Sequence, residues 1–97
     1  MSDQNEEILN QQTERAEDIL GGLISLRSAW MGDEHVKAIP DDGALSRLLD
    51  EQSKFLQLRK NLYVMNLEEV NQIITTYSAQ LKDEQLERAT FLKSRNT

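Results

Sequence analysis

The sequence predicts an all-α protein: a helical hairpin of two long antiparallel helices, or a three-helix bundle if the second helix breaks near residue 66. Three observations carry this. Apolar residues recur at steps of three and four through most of the chain. The only proline is Pro40. Glycines stand only at 21, 22, 32 and 43, so helix-breaking residues cluster between Gly32 and Gly43 and divide the chain there.

The first helix is expected over about residues 6–30. Leu9, Ala16, Ile19, Leu20, Leu23, Leu26 and Trp30 fall on one face. Glu6, Glu7, Glu14, Glu17 and Asp18 lie in its N-terminal half, where carboxylates suit the helix dipole. Gly21 and Gly22 interrupt it, and each costs about 1 kcal/mol relative to alanine inside a helix. Close approach of a neighbouring backbone explains that cost better than a kink, since Leu20, Leu23 and Ile24 surround the pair.

Residues 31–42 form the connection. Gly32 is the expected helix stop. Pro40 disfavours helix at Ile39, and Asp41 or Asp42 can cap the next helix. Val36 and Ile39 are expected to fold back over the core. From residue 43 to about 93 there is no further proline or interior glycine, and the helical spacing runs from Leu45 through Tyr63 to Leu81. A continuous helix is the expectation. The alternative is a break at Asn66-Leu67-Glu68-Glu69, which has the form of a capping box. Beyond Leu81 the pattern thins. Glu84 and Arg88 suit an i,i+4 pair, on a tail that frays or orders on a partner.

At 97 residues there is room for one domain. The apolar fraction is 38%, about 42% once the four glycines are added, against roughly 45–50% in ordinary domains. So lean a core is marginal alone, and a homodimer or hetero-complex would supply the missing burial. Net charge is −6, all of it in residues 1–35, since residues 36–97 balance to zero. That argues against nucleic-acid binding, which leaves a basic stripe. Arg47, Lys54, Arg59 and Lys60 form the densest basic region, but Asp50 and Glu51 dilute it and an Asp50–Lys54 pair accounts for part of it. The absence of cysteine fits a reducing compartment. With no export signal and no long apolar run, a cytoplasmic protein without a membrane span is expected.

No constellation for catalysis is visible. His35, the only histidine, reads as an exposed loop residue beside Asp33 and Glu34. Glu14, Glu17 and Asp18 share a helix face but lack the Glu-x-x-His motif of helical metal sites, so they read as solvated acids. There is no phosphate-binding glycine loop. The chain is accordingly expected to be no enzyme and to hold no cofactor and no metal.

Three short stretches resemble known families. Trp30-Met31-Gly32 resembles the Trp-x-Gly turn of small helical-hairpin proteins secreted by type VII systems, but neither Tyr63 nor Tyr77 is followed four residues on by the acid of that family's export signal. Residues 40–45 resemble the turn before the second helix of type III needle subunits, whose later polar positions do not line up. Leu45 to Leu58 is similar to the small helical export chaperones of flagellar and type III systems, through a general amphipathic pattern. None assigns a family.

The function expected is a non-enzymatic helical interaction module: a chaperone, adaptor or small regulatory subunit. Tyr77, Leu81, Phe91, Leu92 and Trp30 are the candidate partner-binding residues, being large apolar side chains at helix ends or where the pattern thins. The alternatives are a transcriptional or nucleic-acid regulator, including an acidic mimic, and a structural subunit of a secretion apparatus or filament.

Overall fold

The computed structural model describes residues 2–95. Three α-helices follow one another: α1, Ser2–His35; α2, Asp42–Asn61; and α3, Leu67–Arg95. A single 3-10 turn, Leu62–Val64, joins α2 to α3. No strand occurs among the described residues.

The chain runs up, down and up. Along the α1–α2 contact, Gln52 reaches Ile24 and Ser28, and Tyr63 reaches Glu17, so the two helices are antiparallel. Along α1–α3, Gln12 meets Asn71 and Arg27 meets Glu84, so those two are parallel. α1 is the spine against which both others pack. α2 and α3 touch one another sparsely, Phe55 and Tyr77 meeting edge-on at 5.7 Å. The result is a slab of 59 × 26 × 15 Å with a radius of gyration of 16.3 Å, more extended than the roughly 13 Å of a compact domain this size.

The core follows from the spacing. Ala16, Ile19, Leu20, Leu23 and Leu26 of α1 meet Phe55 of α2, Leu62 of the turn, and Val70 and Ile74 of α3. Asp41 caps α2, its Oδ1 accepting from the Ala44 amide at 3.1 Å. Asn66 and Glu69 cap α3 reciprocally: Asn66 Oδ1 accepts from Glu69 N at 2.9 Å, and Glu69 Oε1 accepts from Asn66 N at 3.1 Å.

Several expectations are corrected. The second helical stretch is not continuous from 43 to 93. It breaks at 62–66, where Met65 is extended (φ −90°, ψ 146°). An unbroken helix of that length would span about 75 Å and overrun α1, which is about 51 Å long. The break turns α3 back along α1 with Val70 and Ile74 in the core, and the Asn66 cap satisfies an amide it frees. Gly32 does not stop α1, which continues to His35. No described glycine takes a positive φ, so none serves as a left-handed cap. His35 thus ends the helix instead of standing in a loop, and it is exposed. Val36 and Ile39 do not cover the core: they are 76% and 88% exposed. The connection 36–41 is short and tethered, Glu34 accepting from Asp41 N at 2.8 Å and from Lys37 Nζ at 2.7 Å, so it turns outside the bundle end. Gly22 does mark a close approach, but to the Leu81 side chain and not to a backbone.

Candidate interaction surface

At the C-terminal end of α1, inward positions that hold leucine lower down carry charge. Arg27 follows Leu20 and Leu23 on the inner face and is buried. It grips the Glu84 carboxylate with both terminal nitrogens, donates from Nε to Glu51 at 3.3 Å, and stands 5.0 Å from the Phe55 ring centroid. One residue of α1 therefore ties α2 and α3 together where the two are parting. Among the described residues, no buried side-chain nitrogen or oxygen lacks a partner, as a buried charge requires.

One turn on, Arg88 of α3 donates to Asp33 and lies 4.7 Å from the Trp30 ring centroid and 5.5 Å from that of Phe91. Trp30 and Phe91 meet edge-on at 5.1 Å. Arg95 adds a second bond to Asp33 at 3.3 Å. The Arg88 hydrogen bond holds the Asp33 carboxyl below the usual carboxylate range, against the opposing effect of burial. Glu34 is likewise held low, first by Lys37 and then by the Asp41 amide.

Above this cluster α2 and α3 leave a groove of about 420 Å3, floored by Arg27 and Trp30 and walled by Leu48 and Arg47 on one side and Glu84 and Glu87 on the other. Val36, Ile39, Phe91 and Leu92, all exposed, stand at the same end of the slab. A second apolar surface lies on the outer flank of α2, where Leu49 is 55% and Leu56 48% exposed.

The five residues singled out in the sequence divide between two settings. Trp30, Phe91 and Leu92 come together at the open end. Tyr77 and Leu81 do not join them. Both are half-buried, Tyr77 against Phe55 and Leu81 against Gly22, and they belong to the packing between helices. Glu84 and Arg88 are not the pair their spacing suggests, because each bonds to α1. Sequence reasoning missed Arg27 and the α2 flank. Arg27 carries one signal, an arginine at a position the apolar spacing assigns to the core.

The basic residues of α2 do not gather into one face. Arg47 and Lys54, seven apart, share one side; Lys60 lies round the helix; the Arg59 guanidinium lies by Gly21. The expected Asp50–Lys54 pair is not among the ion pairs seen, while Arg47 approaches Glu51 at 4.0 Å. Among the described residues no group of three or more histidine, aspartate or glutamate side chains could hold a metal ion. No described helix is long and apolar enough to cross a membrane. Comparison of the chain with protein-family models, with curated proteins and with solved structures finds no match.

Proposed function

We propose that this chain is a non-enzymatic protein–protein interaction module of the chaperone, adaptor or small-regulatory-subunit kind, acting in the cytoplasm. Its partner docks at the open end of the slab. The observation that carries this reading is the apolar side chains left there: Val36, Ile39 and Leu92 are exposed at the end where the half-buried Trp30 meets the exposed Phe91. Aromatic and arginine side chains flanked by apolar contacts are what binding hot spots are made of. The groove between α2 and α3 is lined by Trp30, Ala44 and Leu48 among the charged Arg27, Glu34, Arg47, Glu84 and Glu87, and it suits a helix that brings charged side chains beside an apolar one.

The test is affinity capture with the full chain and an Ile39→Glu/Leu92→Glu variant. Both side chains are exposed, so the variant should match the wild type in far-UV circular dichroism. A partner retained in fixed stoichiometry by the wild type and lost by the variant is expected. A partner held equally by both, or none held by either, would overturn the reading.

A further inference from the structure

The outer flank of α2 runs from the open end along the side of the slab, and its side chains have a different use. The inner row of α2, Leu48, Glu51, Phe55 and Leu62 (the last in the following turn), is consumed by α1 and by Arg27. A second row, Leu45, Leu49, Gln52, Leu56 and Arg59, runs beside it at alternating steps of four and three. That is the spacing of a coiled-coil seam. Leu49 and Leu56 remain about half exposed, and Leu45 is half-buried. Gln52 is fixed in the row by bonds to the Ile24 carbonyl at 3.1 Å and to Ser28 Oγ at 2.8 Å.

We infer that this row is a contact between two copies of the chain, α2 against α2 and antiparallel. Charge selects both the occupant and the orientation. α2 is acidic in its first turn, at Asp42, and basic in its last, at Arg59 and Lys60. Laid antiparallel on a second copy, Leu45 falls opposite Leu56 of that copy, Leu49 opposite Gln52, and Asp42 opposite Arg59. Every layer then recurs across the two-fold axis, as a closed dimer requires. A parallel arrangement would set Asp42 on Asp42 and Lys60 on Lys60. The neighbouring surface of α1 offers no bulk to hold a second helix away, since Ser25 and Ser28 carry small side chains and Gly32 none.

Sedimentation equilibrium on the full chain tests this, with far-UV circular dichroism on the same samples. The wild type should be a dimer. A Leu49→Lys/Leu56→Lys variant should keep its helicity and dissociate at least about 100-fold more readily, as expected for losing two leucines from each side of the contact. Asp42→Lys should also weaken the dimer, and adding Arg59→Glu and Lys60→Glu to the same chain should restore it. The Ile39→Glu/Leu92→Glu variant should remain dimeric, which separates this contact from the partner site at the open end. A folded, monomeric wild type, or a dimer indifferent to the Leu49/Leu56 change, would overturn the inference.

Discussion

A Cβ added at Gly22 would stand 2.8 Å from Leu81 Cδ1 and 3.1 Å from its Cδ2. At Gly21, one residue earlier, the nearest atom is the Arg59 guanidinium carbon at 3.9 Å, an ordinary contact. The two adjacent glycines therefore do different things. Gly21→Ala should gain close to the full helix-propensity difference, about 1 kcal/mol. Gly22→Ala should gain less than Gly21→Ala, because the methyl ends of Leu81 must shift to admit the new Cβ. Urea unfolding of the two variants measures the difference, and equal stabilisation by both would contradict the packing described. The sequence marks this pair as costly, but it cannot say which glycine a neighbour needs, since the neighbour is on another helix. Arg27 is the same case. Its spacing places it on the inner face, while its partners Glu51 and Glu84 are 24 and 57 residues away.

The helix α3 is held by two different kinds of contact. Its first half packs Val70, Ile74 and Leu81 against α1. Its last turns are fastened through Glu84 to Arg27, and through Arg88 and Arg95 to Asp33. Asp33 has a lowered pKa in the folded chain, chiefly through the Arg88 hydrogen bond. Its contribution is therefore present above the ordinary carboxylate value of about 4 and is lost as pH falls through the lower folded value. Acid should loosen residues 84–95 before the rest. Trp30, in contact with Arg88 and Phe91, reports this by fluorescence, and its change should precede the loss of helicity at 222 nm. Asp33→Asn should show the loosened Trp30 signal already at neutral pH. Coincident transitions in the wild type, or an unaltered signal in Asp33→Asn, would show that these ion pairs do not fasten the helix. At this scale the sequence is legible in part. Periodicity and the capping-box residues Asn66 and Glu69 are visible in it. Whether that box is used depends on what burying Val70 and Ile74 on α1 is worth, a long-range quantity that local pattern does not contain. A continuous helix is the natural expectation for that reason. Glu84 and Arg88 likewise suit one another locally and find stronger partners across the bundle.

The whole molecule is one long helix with two shorter ones laid along it, and its surfaces are set by where they part. Because α2 descends and α3 returns, the start of α2 and the end of α3 lie at the same end as Trp30, which creates the open groove. Because α2 turns Leu48 and Phe55 inward, Leu49 and Leu56 of its second row stay exposed. The sequence shows the leucines of both rows but does not rank them. Which row faces inward is settled by the register of the helices, fixed by Gln52 on Ser28 and Tyr63 on Glu17. The proposed partner site at the open end depends on the chain turning back at residues 62–66. The absence of native cysteine makes that directly measurable. Spin labels on cysteines at Ser46 and Ala89, both exposed, should lie within about 30 Å of each other by pulsed dipolar spectroscopy, the width of the slab being 26 Å. In a mixture with excess unlabelled chain, so that labels are read within one molecule, a distance near 65 Å would mean that α2 and α3 are one continuous rod. The groove at Trp30 would then not exist.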